Sequence, residues 1–364
     1  MPIPLFHSSI AAQFLPKMLL GLSEALPALV EAKFKSAKAA QSLILSSTEL
    51  AIIHTAQGVP FQLRYCPSLS KKPKPQTDNN APPKKKFDPF ENPPHDLLVA
   101  DVPTANPSHW LVLNKFPIIT EHFILATKVN KQQTHILEQD DLEATFACLQ
   151  AWQDGGAHGQ QERLFAFFNS GDHSGASQPH RHLQFLPLKS MKAGEQSDGW
   201  DLLIDLILSQ QKPAKRGLLQ HTGVPFTHYA MEFSSQPSGS DLLEAYNRLF
   251  KAAKEAVDDY VASNSDNFRL HPTEDGSLPI SYNLAMTTSG MAICPRRSGG
   301  AMLQRDDGSN IGFVELNGTV LGGTLMVKDQ EEWDVLKAQP DKLTSILSAI
   351  GFPTSTQTAE VGRL

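Results

Sequence analysis

Two histidines and a glutamine alternate at His180, His182 and Gln184, directly behind a stretch of small and polar residues that includes Gly171, Gly175, Ala176, Ser177 and Gln178. On a β-strand alternate side chains share a face, so these three polar groups line one surface and Arg181, Leu183 and Phe185 the other. The small residues ahead of them let backbone amides come close to an anion. An imidazole beside such a cradle suggests a histidine that attacks phosphorus. Two other readings fit the same pattern. A His-x-His pair is often a metal site, since neutral imidazole is a common nitrogen ligand. A compact strand-borne site then needs a third ligand, and no Glu, Asp, Cys or His follows His182 before Glu195. The third reading is two ordinary polar histidines on a strand.

The nucleophilic reading makes definite demands. Imidazole, with a reference pKa of about 6.5, is a competent nucleophile near neutral pH. Its attack on an α-phosphorus gives a covalent nucleotidyl-histidine and splits one transfer into two displacements. The attacking nitrogen must lack a proton, so the other must carry it, and a hydrogen bond to a carbonyl would lock that tautomer. Gln184 cannot act as an acid and can only hydrogen-bond phosphate oxygens. The leaving group must then depart unassisted, as a nucleoside triphosphate does and a simple amine or alcohol does not. Asn169, Ser170, Gly171, Gly175, Ala176, Ser177 and Gln178 are the expected cradle for the α-phosphate.

The segment from Phe168-Asn169-Ser170-Gly171 through His180-Arg181-His182-Leu183-Gln184 resembles the active-site strand of the histidine triad superfamily. The likeness is to its transferase branch, where glutamine replaces the third histidine, and there to the fungal diadenosine tetraphosphate phosphorylase (ATP adenylyltransferase) family. Four further segments agree: Pro67-Ser68-Leu69-Ser70-Lys71-Lys72-Pro73; Leu113-Asn114-Lys115-Phe116-Pro117 with Glu121-His122; Ser281-Tyr282-Asn283-Leu284 with Pro295-Arg296; and Gly351-Phe352-Pro353. They occur in order between about Leu26 and Thr354. The resemblance implies an α+β fold, a histidine-triad-like mixed sheet with packed helices, in a larger two-part version with a C-terminal adenylyltransferase region.

The implied reaction is reversible phosphorolysis of diadenosine tetraphosphate to ATP and ADP through an adenylyl-His182. The resemblance gives the tautomer-locking carbonyl to the backbone near the first histidine, so His180 orients the site rather than attacking. It places Lys72, Asn114, Lys115, Asn169 and the Gly175–Gln178 segment on the nucleotide. It offers Asn283, Thr287, Thr288, Ser289 and Arg296 for the second nucleotide or the phosphate acceptor. The family usually carries a lysine two residues beyond Pro-Arg; Arg297-Ser298 stands here, so Arg297 is the candidate for that charge. No covalent cofactor and no protein-held metal are expected, while a divalent cation such as Mg can accompany the nucleotide. The expected partners are small nucleotides and phosphate, with no nucleic acid and no membrane. The alternatives are uridylyl transfer to a hexose 1-phosphate and a catalytically silent nucleotide- or metal-binding module.

The rest of the chain must position these groups. The 364 residues carry 40% hydrophobic residues, enough for a sizeable core. A formal charge of −6 and a pI near 6.1 give no global attraction to nucleic acid or acidic membranes. Cys66, Cys148 and Cys294 have no Cys-x-x-Cys spacing, which fits a reducing compartment, the cytoplasm with the nucleus as a second place. Residues 1–25 read as an N-terminal extension, with organelle targeting as a weaker reading because they hold no arginine. Residues 26–193 form the expected catalytic region, with a Pro- and Lys-rich flexible insert over 71–95. Residues 194–354 form the expected C-terminal region and 355–364 a tail. Helices are expected over 25–42, 140–152, 200–210, 241–263 and 331–350. Strands are expected within 50–65, 110–128, 163–168, 180–186, 226–233, 281–293 and 311–327.

Overall fold

The computed structural model describes residues 20–71, 87–156, 162–194, 197–210, 217–234, 236–264 and 268–354. The chain runs through α1 (Leu26–Ala39), β1 (Glu49–His54), β2 (Pro60–Tyr65), β3 (Leu98–Val102), β4 (His109–Leu113), β5 (Phe123–Thr127), α2 (Gln139–Asp154), β6 (Leu164–Ser170) and β7 (His182–Pro187). It continues through α3 (Leu188–Met191), α4 (Leu203–Leu208), β8 (Tyr229–Glu232), α5 (Gly239–Ser263), β9 (Ser281–Thr287) and β10 (Gly290–Arg296). It closes with β11 (Gly300–Gln304), β12 (Asn310–Glu315), β13 (Thr324–Val327), α6 (Gln330–Ala338) and α7 (Pro340–Ile350).

Helical spacing of apolar residues sets the helices. Leu26, Val30, Phe34 and Ala37 form the buried stripe of α1, and Leu242, Ala245, Tyr246, Leu249, Ala253 and Val257 that of α5. Capping boxes at Glu138/Asp141 and Ser238/Asp241 start α2 and α5 by satisfying their first free amides.

Eight strands form one sheet in the order β3-β4-β5-β7-β6-β9-β10-β8. Every neighbouring pair in it is antiparallel. Two-residue alternation divides its side chains between two cores. Leu164, Ala166, Phe168, Leu183 and Phe185 pack under α1, α2 and α5. Phe165, Phe167, Leu186 and Ala285 face the layer of β1, β2, β13, α4, α6 and α7. By that parity Asn169, His182, Gln184 and Asn283 all project toward the second face.

Several expectations change. The α+β class with helices packed on a sheet is as expected, while within it the main sheet is antiparallel throughout and the parallel pair, β2 with β13, belongs to a separate three-stranded sheet. The two sequence regions share their sheets, since β9 pairs with β6 and β13 pairs with β2. Only residues 72–86 of the expected insert lie outside the described residues; Phe87 onward is placed, and Phe90 is buried. Within the expected N-terminal extension, Leu20 and Leu22 are core residues, and residues 1–19 lie outside the described part, as does the expected tail. Strands β3 and β11 were not expected from alternation. The ordered strand after the loop starts at His182, because Pro179 to Arg181 bond instead to the 131–133 segment: Gln133 N to Pro179 O at 2.7 Å and Arg181 N to Lys131 O at 2.7 Å.

Candidate active site

The β6–β7 ladder ends at the Phe167–Gln184 pair. The next rung is made by a side chain. Gln133 Nε2 donates to Asn169 O at 2.8 Å and to His182 O at 3.1 Å, while its Oε1 accepts from His182 N at 2.7 Å. A primary amide thus replaces a peptide group where the strands part. This lets the chain open into the Gly171–Gln178 loop without stranding the backbone polar groups on either side.

His182 sits at the mouth of that opening and is 2% exposed. Its Nδ1 donates to His180 O at 2.8 Å, and a carbonyl can only accept, so Nε2 carries the lone pair. Burial pushes the imidazole pKa down to about 4, so the ring is neutral at neutral pH. This is the tautomer that the nucleophilic reading requires. The ring of Phe90 lies 5.1 Å from that of His182 and edge-on to His180 at 5.6 Å.

His180 is wholly engaged. Its Nε2 reaches Thr127 O at 2.7 Å and its Nδ1 reaches Asp88 Oδ2 at 2.8 Å. Only His182 Nε2 of the His-x-His pair remains open, so the pair does not offer the two nitrogens of a metal site. Among the described residues His109, Asp140 and Asp141 lie close enough together to suggest metal ligands. Asp141, however, bonds to His109 Nε2 at 3.0 Å and to buried Arg181 at 2.7 Å, so a guanidinium already neutralises it.

Gln184 is oriented through a chain of three side chains. Asn114 Oδ1 accepts from Phe116 N at 2.8 Å, which turns its Nδ2 toward His122 Nδ1 at 3.1 Å. His122 Nε2 then donates to Gln184 Oε1 at 3.1 Å. The amide of Gln184 is thereby fixed with its NH2 end left as the donor. Burial holds the His122 pKa down at about 4, in keeping with a single ring proton. Lys115 is exposed on the same turn as Asn114, its Nζ 5.6 Å from the Phe116 ring centre.

The cradle draws on both sequence regions. Asn169 Oδ1 accepts from Gly318 N at 2.8 Å and from Asn283 Nδ2 at 2.9 Å. Asn283 Nδ2 also reaches Ser174 O at 2.9 Å, tying the loop to β9. Gly171 turns the chain at φ +85°, and a Cβ there would stand 2.4 Å from Ser281 Oγ. Gly175 repeats this at φ +77° against Leu316 O, 2.8 Å away. Ser170 is buried; Gly175, Ala176 and Ser177 are exposed and Gln178 is half-buried, so the open side of the loop is theirs.

Other candidates are placed differently. Arg296 is buried, and its guanidinium bonds to Asn283 Oδ1, Ile350 O at 3.3 Å, and Ser298 O and Leu316 O at 2.9 Å each. Four of its five N–H donors thus build the floor of the cradle. Arg297 donates to Tyr260 OH at 2.9 Å. Thr287, Thr288 and Ser289 form the β9–β10 turn at the far end of β9, roughly 14 Å along the strand from Asn283 at about 3.4 Å per residue. There Thr288 Oγ1 bonds to Gln153 Oε1 at 2.8 Å and Thr287 Oγ1 accepts from Ser289 N at 3.2 Å. The structure does not bring these three together with His182. Lys72 lies outside the described residues. Asp88, Phe90, His122 and Gln133 carried no role in the sequence reading. His122 stood inside a quoted motif, Asp88 and Phe90 were hidden in Pro-rich composition, and Gln133 left no local signal.

Comparison with known proteins completes the picture. Residues 18–199 match the protein-family model described as Ap4A phosphorylase N-terminal domain, and residues 222–353 that described as ATP adenylyltransferase C-terminal domain. The diadenosine 5',5'''-P1,P4-tetraphosphate phosphorylase 2 of Saccharomyces cerevisiae is 27% identical over 349 residues, covering 92% of this chain and 97% of that protein. The crystal structure of yeast Ap4A phosphorylase Apa2 superposes with a TM-score of 0.71 at 25% identity, covering 91% of this chain and 99% of that one. The same enzyme in complex with Ap4A gives 0.71 at 24% identity, covering 91% and 99%.

Proposed function

This chain belongs to the Ap4A phosphorylase family, and on that premise we propose that it cleaves diadenosine tetraphosphate (Ap4A) with inorganic phosphate, reversibly, to ATP and ADP. The observation that carries the reading is the buried His182, whose Nδ1–H is tied to His180 O and whose Nε2 is left unprotonated. His182 Nε2 attacks the α-phosphorus, the N–P bond forms, and the P–O bond to the leaving ATP breaks. A phosphate oxygen then attacks the same phosphorus, the N–P bond breaks, and ADP forms with the imidazole restored. Neither step needs a general acid, since ATP leaves as an anion and phosphate arrives as one. The fixed Gln184 NH2 and the backbone amides of Gly175, Ser177 and Gln178 supply donors to the phosphate oxygens as charge moves, while the Ala176 amide is turned to Ser174 Oγ at 3.3 Å.

The uridylyl-transfer alternative falls away with the family assignment. The three thiols are free and buried, which supports a reducing compartment, the cytoplasm with the nucleus as a second place. Among the described residues no helix is long and apolar enough to cross a membrane. A divalent cation such as Mg can accompany the polyphosphate. Product analysis tests the reading: Ap4A should yield ATP plus ADP only when phosphate is present. Efficient formation of ATP plus AMP without phosphate would make the protein a hydrolase.

A further inference from the structure

The His182 ring is held by the carbonyl of His180, so its aim depends on the plane of the peptide that follows His180. Two anchors fix His180. One is Thr127 O on β5, at 2.7 Å from Nε2. The other comes from a segment far away in sequence, where Asp88 Oδ2 stands 2.8 Å from Nδ1. The Asp88 carboxylate is itself held, by Asn130 Nδ2 at 3.0 Å and by Phe90 N at 2.9 Å. Two residues on, Phe90 packs against both histidine rings.

We propose that Asp88 is a positioning residue for the nucleophile, acting through His180 to hold His182 in line with the α-phosphorus. The inference rests on His182 being the nucleophile. Asp88 takes the Nδ1 side of His180, while Nε2 faces both the carbonyl and the hydroxyl of Thr127, so the two contacts together fix the ring and the peptide plane beside it. Burial works against the Asp88 charge, while the His180 and Phe90 hydrogen bonds hold that carboxyl below its ordinary range. As the N–P bond forms, positive charge develops on the His182 ring. The Nδ1–H bond to the His180 carbonyl strengthens as it does, provided that carbonyl stays in place. Removing the Asp88 charge frees one side of His180 and loosens the carbonyl.

The test measures single-turnover formation of adenylyl-enzyme from labelled Ap4A, with AMP affinity and melting temperature recorded for each variant. Asp88→Asn keeps the size and an acceptor but not the charge. Its rate should fall about tenfold to a hundredfold, the loss expected from small misalignment, with AMP affinity and melting temperature unmoved. The double variant Asp88→Asn/His180→Gln should be no slower than His180→Gln alone, because the first residue acts through the second. A purely structural Asp88 would lower the melting temperature and multiply its effect with that of His180, and either result overturns the proposal. A wild type that labels normally beside an equally fast Asp88→Asn overturns the role of Asp88 alone. A wild type that never labels overturns the nucleophile assignment and this inference with it.

Discussion

Replacing Gln133 should cost both stability and rate, because its side chain stands in for a strand rung beside the nucleophile. The amide is 2% exposed and satisfies three backbone groups: His182 N, His182 O and Asn169 O. Gln133→Ala strands all three. At the low end of about 1 kcal/mol per stranded buried group, the loss is about 3 kcal/mol. Gln133→Glu is nearly isosteric and should be worse at neutral pH, since its carboxylate keeps the bond from His182 N but points a second acceptor at two carbonyls. Burial raises the pKa of such a carboxyl. The glutamate is therefore ionised only at the higher pH values, and its deficit relative to wild type should shrink as pH falls and the acid becomes a donor. Urea unfolding at pH 7.5 and pH 5.5 reads both effects, provided the m-value is unchanged. A Gln133→Ala loss below about 0.5 kcal/mol, the scale of a neutral surface change, would refute the rung. So would a Gln133→Glu deficit that grows on acidification.

Further outcomes follow from the same geometry. Gln184→His should raise the ratio of AMP to ADP formed at fixed phosphate, because imidazole can take a proton from attacking water and an amide cannot; an unchanged ratio would sink this account of Gln184. The pre-steady-state rate of adenylyl-enzyme formation should show no histidine limb near pH 6.5, since burial holds the His182 pKa at about 4. A titration at the reference value would contradict the buried neutral ring. Burial likewise holds His122 and His228 at about 4. Unfolded chains take up these protons from about pH 6.5 downward, so stability should be lost as pH falls toward 4. The loss between pH 7 and pH 5 is on the order of 1–2 kcal/mol per histidine, and denaturant melts at the two pH values read it.

The sequence carried the helices and most strands because their burial is periodic: the α1 and α5 stripes and the alternation in β6 and β9 are visible one residue at a time. It carried His182 and Gln184 for the same reason, since period-2 spacing and a Gly-rich approach are local signals. Contacts made across the fold were not legible. Asp88 meets His180 across 92 residues of sequence and looks like one more polar residue in a Pro- and Lys-rich stretch. Gln133 acts as a peptide surrogate only once β6 and β7 part. Arg296 stood in a quoted motif, but the motif could not say that four of its five N–H donors would go to Asn283 and three carbonyls. Thr287 to Ser289 sat near that block in sequence, yet a seven-residue strand carries them to the opposite end of the sheet.

The most direct measurement is covalent. The protein is mixed with Ap4A labelled in the adenylyl group without phosphate, quenched in alkali, digested, and the labelled peptide sequenced. The structure predicts one acid-labile label on the peptide containing His182, lost in His182→Ala, and released as ADP when phosphate is added before the quench. Full turnover to ATP and ADP by His182→Ala, or label on any other residue, would contradict it.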